Sequence, residues 1–295
     1  MGINEFLEYI TTTKKVSKNT VAAYKQDIQA FGKFLEENGC ERFEDVTNTQ
    51  IVSYLMELKQ TGKSKATVNR KLASIRAFYR YLISQGVMRE NPTEGIKSPK
   101  ISRKEISYLS IDEIEKLLDA PDDSVKGKRD KAMLEVLYAT GIRVSEIIEL
   151  KVTDIDLRMG FVKCNGNHGK ARIVPIGMPA RRAMKTYLEE SRPALIRGME
   201  DNDDSPLFVN YMGEIFTRQG FWKILRQYGK QVHLENKLTP QTLRNSFAMH
   251  MVQNGIDMRS LQELMGHEDV LATQVYFEHM RNRIKDVYNK THPRA

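Results

Sequence analysis

Cysteine is nearly absent from this 295-residue chain: Cys40 and Cys164 are the only two, one in each half, with no paired spacing that would hold zinc, and both are expected to be unpaired thiols. Long apolar runs are missing too. No uninterrupted stretch approaches the ~20 residues that a membrane helix needs. The opening Met-Gly-Ile-Asn-Glu-Phe-Leu-Glu is acidic and amphipathic, unlike a signal peptide, so a cytoplasmic protein with no membrane partner is expected. What remains is a polar, charged chain of 34.0 kDa with a 40% apolar share, long for a single core and comfortable as two domains.

The formal charge of +8 is unevenly spread. From Lys59 to Lys104 there are twelve Lys or Arg against Glu90 and Glu94, a window of +10 that leaves −2 for the rest. Local basicity interleaved with a helical apolar pattern points to a polyanion surface rather than to a disordered tail. Four amphipathic helices are expected around it: Asn4 to Ile10; a second capped by Ser17, with Val21, Tyr24, Ile28, Phe31 and Leu35 inward; a third from Thr47 or Asn48; and a fourth capped by Ser64, with Val68, Leu72, Ile75, Phe78 and Leu82 inward. On the fourth, Lys65, Arg70, Lys71, Arg76 and Arg80 fall outside the apolar stripe, as suits a helix laid against DNA, with lysine and arginine on phosphates. Residues 1–87 thus read as an N-terminal helical DNA-binding domain. Residues 88–107, broken by Pro92 and Pro99 and rich in Lys and Arg, read as a basic interdomain linker.

Residues 108–295 read as a second, α+β domain. Ser110 and Glu113 make a capping-box pattern. A helix from Lys128 to Ala139 stops at Thr140-Gly141, and the next opens at Ile142-Arg143-Val144-Ser145-Glu146. Arg143 with Glu146 one turn on is either a phosphate-gripping fork oriented by a carboxylate or an ordinary surface ion pair. Strands are expected at Phe161 to Cys164 and Arg172 to Ile176 around a glycine-bearing turn from Asn165 to Lys170, with a third at Leu207 to Val209. The chain as a whole is mainly α with a small antiparallel β-sheet.

The stretch from Thr239 to Tyr276 carries the chemistry. Thr239 and Pro240 start a helix with Leu243, Phe247, Ala248 and Met251 inward and with Gln241 and Arg244 on one face, the guanidinium fork directed away from the core. Asp257 caps a second helix that Gly266 ends, so His267 falls on a tight turn; Asp269 opens a third that carries Tyr276. Singly, each of these is more often a solvated Arg, a satisfied His or a packed Tyr. Together, a guanidinium, an imidazole and a phenol suggest an anionic group that is held and attacked.

Arg-x-Ser-Phe-Ala from Arg244, Leu-Met-Gly-His ending at His267, and a tyrosine nine residues beyond resemble the C-terminal motif of the tyrosine site-specific recombinases, the phage integrase family, and most of all its Xer-type branch, which resolves chromosome dimers. Thr140-Gly-Ile-Arg-Val-Ser-Glu146 resembles the family's first arginine motif. The likeness covers nearly the whole chain. It implies a two-domain clamp on double-stranded DNA; attack by Tyr276 to give a 3′-phosphotyrosyl bond; Arg143 and Arg244 on the nonbridging oxygens; and His267 on the same phosphate. It further implies no cofactor and no metal, no need for ATP, and a homo- or hetero-tetramer on a synapsed pair of sites, joined through the C-terminal helix. Two positions depart from the pattern. Gln241 stands where the family usually has His, and Asn167 where it usually has the lysine that protonates the leaving 5′ oxygen, the nearest lysine being Lys170. Three readings stay open: an active recombinase with Lys170 substituting, serving dimer resolution or mobile-element movement; a DNA-binding homologue with weak or no cleavage; and a transcription regulator using residues 257–276 as a helix-turn-helix.

Overall fold

The computed structural model describes residues 2–14, 16–100, 105–166, 171–197 and 202–291, which divide into two compact units, Met1–Lys104 and Glu105–Ala295. Asn167 and Lys170 lie outside the described residues.

In the first unit α1 (Ile3–Thr12), α2 (Lys18–Glu37), α3 (Asn48–Gln60) and α4 (Lys65–Ser84) form the bundle, and side-chain caps start the last three. Ser17, Thr47 and Ser64 each accept a backbone N–H from the first turn, which satisfies a donor that has no partner inside the helix. Aromatic rings fill the interior, with Phe78 meeting Phe6 and Phe43 edge-on at 5.4 and 4.9 Å.

The basic face of α4 is narrower than its sequence suggests. Asp27 on α2 is fully buried and binds Arg70, the Ser74 hydroxyl (2.8 Å) and the Lys71 ammonium (3.3 Å). Lys71 is itself buried, so the expectation that it stands on a DNA-facing surface is not met. The cause is electrostatic: a carboxylate removed from water must be paired, and the nearest cations on the neighbouring helix are drawn inward. Arg76 is engaged as well, by the Ile96 carbonyl and the Ser98 hydroxyl (3.0 Å), whereas Lys65 and Arg80 stand exposed. The described part of the expected linker does not run free. Asn48 donates to the carbonyls of Pro92 (3.1 Å) and Glu94 (3.0 Å), and Asn69 donates to that of Pro99 (2.9 Å).

In the second unit α5 (Ile111–Leu118) is followed by α6 (Val125–Thr140) and α7 (Val144–Glu149). A three-stranded antiparallel sheet comes next, β1 (Ile155–Asp156), β2 (Phe161–Asn165) and β3 (Ala171–Pro175), in that order, with Cys164 opposite Arg172. The third strand is therefore β1 and not Leu207 to Val209. Those three residues are buried, and the pairing there is confined to isolated bridges, Pro206 with Lys151 and Val209 with Ile215, too short to make a strand.

Then come α8 (Met178–Thr186), a π-helical turn at Tyr187–Ser191, α9 (Arg192–Leu195), α10 (Arg218–Gln231), α11 (Pro240–Gln253), α12 (Met258–Met265) and α13 (Leu271–Thr291). α6 is buried on nearly every side and even encloses the Arg129–Asp130 pair, whose carboxylate also accepts from the Tyr228 hydroxyl at 3.0 Å. A smaller cluster of Phe247, Ala248, Met249, Val252, Leu261, Met265 and Tyr276 binds α11, α12 and α13 together and fixes where the tyrosine sits. α13 runs on past Arg283 without interruption, since nothing between Tyr276 and Arg283 breaks a helix. No helix among the described residues is long and apolar enough to cross a membrane.

Candidate active site

The site is built around one helix end. The last carbonyls of α12 have no partner inside the helix, because the chain turns left-handed at Gly266 (φ 61°). Three successive carbonyls are taken by three different arginines. Arg172 Nε donates to Leu264 O (2.8 Å), Arg244 Nη2 to Met265 O (2.6 Å) and Arg143 Nη2 to Gly266 O (3.1 Å). Cations belong at a helix C-terminus, where the aligned peptide dipoles leave negative charge. Gly266 is required for space as well as for its dihedral, since a Cβ there would lie 2.7 Å from Arg172 Nη1.

Each arginine arrives from a different element. Arg143 sits at the N-cap of α7, where the Glu146 carboxylate reaches back to its backbone N–H (2.6 Å) and to Nη1 (3.3 Å). Arg172 on β3 grips the same carboxylate with both terminal nitrogens, at 2.7 and 3.1 Å. Arg244 on α11 also donates to Gly141 O, the carbonyl that ends α6 in a left-handed turn. Its side chain does not point away from the core, as the helical pattern suggested: Arg244 is only 6% exposed. Two helix ends supply enough acceptors to hold a guanidinium inside, and a sequence pattern cannot register that.

Glu146 pairs with Arg143 and Arg172 while Arg244 is held by carbonyls alone, so three guanidiniums and one carboxylate give the cluster +2 among the described residues. Burial, and then the charge of Arg143, push the Arg244 pKa down to about 10. Burial alone would raise that of Glu146, but bonds from Arg172 and the Arg143 backbone outweigh it and hold the carboxyl below its usual range. Uncompensated positive charge held on rigid helix ends, with guanidinium N–H groups to spare, is a seat for an anion. Removal of the one counter-charge should be costly. Glu146→Gln is expected to lower the unfolding free energy by about 3 kcal/mol, since it strands buried cations. Urea denaturation measures it, and a loss near zero would mean that the arginines are held by the carbonyls alone.

His267 follows directly on the helix end, with Nδ1 2.8 Å from the buried Thr273 hydroxyl. Burial first, then Arg244, Arg143 and Arg172, push its pKa down to about 4. The imidazole is therefore neutral at pH 7 and open to donate or accept at Nε2. Because its folded pKa lies below the unfolded value of roughly 6.5, the unfolded chain binds more protons between those two pH values, and stability falls as the pH drops from about 6.5 to 4. An NMR titration of the His267 ring, assigned with His267→Gln, is expected to stay neutral down to about pH 4. A midpoint near 6.5 would place the ring outside the arginine field.

Tyr276 is buried at 4% exposure on α13, and its hydroxyl donates to Asn245 Oδ1 (3.0 Å). Burial raises its pKa while Arg244 lowers it. Gln241 is exposed and spends its Nε2 donor on the same Asn245 oxygen (2.8 Å). Arg143, Arg244, His267 and Tyr276 are thus brought into one site, joined by Glu146, Arg172, Thr273 and Asn245. Arg172 and Asn245 escape a reading of spacing, because one is a strand residue far along the chain and the other a small amide beside a more conspicuous arginine.

Comparison with known proteins gives the family. The phage integrase family matches residues 107–283, and the phage integrase N-terminal SAM-like domain matches residues 3–86. The chain is 42% identical over 295 residues to the tyrosine recombinase XerD of Listeria innocua serovar 6a, covering 99% of each. It is 28% identical to XerA recombinase in its crystal structure, covering 99% of both chains with a TM-score of 0.54. Its fold also matches that of XerH site-specific recombinase bound to palindromic difH substrate in a post-cleavage complex, at a TM-score of 0.76, 19% identity, and coverage of 97% of this chain and 84% of that one. On this likeness along its full length, the chain belongs to the phage integrase family, as a Xer-type tyrosine recombinase that breaks and rejoins DNA strands at specific sites.

Proposed function

We propose that Tyr276 is the nucleophile and that Arg143 and Arg244 hold the scissile phosphate. The observation that carries this is the convergence of their guanidiniums on the C-terminal end of α12, where Glu146 pairs with Arg143 and leaves Arg244 without a carboxylate partner among the described residues. A phosphate seated there offsets the burial, and then the repulsion from Arg143, that depress the Arg244 pKa, and its grip tightens as negative charge grows on the nonbridging oxygens during attack. The phenol oxygen bonds to phosphorus, the bond to the 5′ oxygen breaks, and a 3′-phosphotyrosyl link remains. Neutral His267 donates to the same phosphate or relays a proton through Nε2. Because the link conserves the energy of the broken ester, a 5′ hydroxyl from a second duplex reverses the step and completes strand exchange.

In this reading residues 1–87 bind core DNA, with Lys65, Arg70, Arg76 and Arg80 near phosphates, and 108–295 are catalytic. A homo- or hetero-tetramer assembles on two synapsed sites, with α13 reaching a neighbouring subunit. The setting is the cytoplasm and the task chromosome dimer resolution, as the XerD likeness suggests. One observation favours a weaker enzyme: Gln241 already donates to Asn245 and cannot move a proton at neutral pH. The helix-turn-helix alternative is the least supported, since the turn between α12 and α13 is occupied by arginines and α13 buries its Tyr276 against α11.

A library of nicked duplexes tests the reading. The protein is expected to form an adduct that survives detergent, and a bridging phosphorothiolate, whose thiolate leaves unprotonated, is expected to speed it if the general acid is weak. No adduct with either kind of duplex would overturn it.

A further inference from the structure

The amide of Asn245 has its orientation fixed by its neighbours. Its Nδ2 lies 2.9 Å from Ser107 O, and a backbone carbonyl only accepts, so the NH2 group must face it. That leaves Oδ1 toward Tyr276 and Gln241, at 3.0 and 2.8 Å. The phenol therefore stands as a donor, with its proton committed to an oxygen that takes up no proton at any working pH. A phenolate in the same place would set its charge against the lone pairs of Oδ1. The bond accordingly favours the neutral phenol, and burial acts in the same direction. Of the charged side chains on the helices packed against α13, Arg244 is the one that favours ionisation; Arg259 and Glu263 on α12 are exposed and pair with each other at 3.5 Å.

We infer that Asn245 is the positioning residue of the nucleophile: its carboxamide oxygen holds the Tyr276 hydroxyl as a buried, neutral donor in the resting protein, and attack begins when that bond is broken. The name of nucleophile rests on the function proposed above; the bond itself does not. Gln241 serves as the second donor that keeps Oδ1 turned inward. The restraint stands one residue along α11 from Arg244, so the phenol waits beside the phosphate seat without being reactive.

Two near-isosteric variants separate this role from a structural one. Asn245→Leu and Asn245→Asp both lose the donor to Ser107 O, but only the aspartate keeps an acceptor for the phenol. Nitration of Tyr276 by tetranitromethane, which attacks phenolate, is measured on the full chain without DNA by peptide mass spectrometry. Against the native chain, Asn245→Leu is expected to react about five-fold faster and Asn245→Asp about five-fold slower, the worth of one ordinary hydrogen bond in each direction. Adduct formation on nicked duplex is expected to follow the same order. Equal rates, or a shift of both variants in one direction, would overturn the inference. Should Asn245→Leu not fold, Asn245→Ser, too short to reach the phenol, carries the same expectation. Divergent nitration with no adduct from any protein, native included, would leave the bond standing and remove Tyr276 as nucleophile. Matched nitration with adduct intact would remove the restraint alone.

Discussion

Tyr276→Phe is expected to abolish the covalent adduct while leaving fold and DNA affinity in place. The substitution deletes one oxygen, and the ring keeps its place in the cluster with Phe247, Val252 and Leu261. Asn245 Oδ1 still accepts from Gln241, so no buried acceptor is stranded and the cost in stability is about 1 kcal/mol at most. In the proposed mechanism chemistry has no such reserve, because the link to DNA would be made through the lost atom. Denaturing gels on nicked duplex read the adduct, and native gels read binding. Adduct retained by the variant would mean that another residue attacks; binding lost together with the adduct would mean that the ring had a structural task instead.

Arg244→Ala is expected to slow adduct formation about a thousand-fold, the upper range for the loss of one fixed donor group at a developing charge. Arg244 is placed to matter this much because it is buried, charged and tied at both ends, by Gly141 O and Met265 O, so that it holds the end of α6 to the end of α12. Its guanidinium has five N–H groups, and the ties leave the others for a phosphate. Arg244→Lys is expected to recover little, since an ammonium on a flexible stem cannot span two carbonyls and still present a fork. Single-turnover rates with saturating protein separate this from weakened binding. A fall of less than ten-fold in Arg244→Ala would show that the phosphate is held elsewhere. A bridging phosphorothiolate is not expected to restore the rate, because the defect lies in charge stabilisation and not in protonation of the leaving group.

Local rules made much of this structure legible in the chain. Ser17, Ser64, Thr239 and Asp257 cap the helices that their spacing announced, and Gly141 and Gly266 end helices in the left-handed turns that only a residue without a Cβ takes readily. Such signals are short in range and so survive in the sequence. What stayed hidden depends on partners far along the chain. Lys71 lies outside the apolar stripe of its helix, yet turns inward because Asp27, on another helix, is buried opposite it. Arg244 is buried for the same kind of reason, and periodicity treats every arginine as outward-facing. Arg172 and Asn245 enter the site through contacts spanning 92 and 31 residues, with Leu264 O and Tyr276, and no motif marks them.

The organising role of the α12 end also explains why so short a helix stands at the centre. A helix of eight residues has little stability of its own, and its final carbonyls would be a liability if buried without partners. Arginines from β3, α7 and α11 satisfy them, and in exchange the helix end sets the spacing of three positive groups. In the proposed function folding and phosphate binding are thereby coupled, since the interactions that complete the helix also align the arginines.

The most direct measurement is a structure of the protein trapped on a duplex with a bridging phosphorothiolate at the scissile position. The account expects phosphorus bonded to the Tyr276 oxygen and both nonbridging oxygens within hydrogen-bond distance, about 3 Å, of the Arg143 and Arg244 guanidiniums, with Asn245 released from the phenol. A trapped phosphate bonded to a different side chain, or seated away from the C-terminal end of α12, would contradict it.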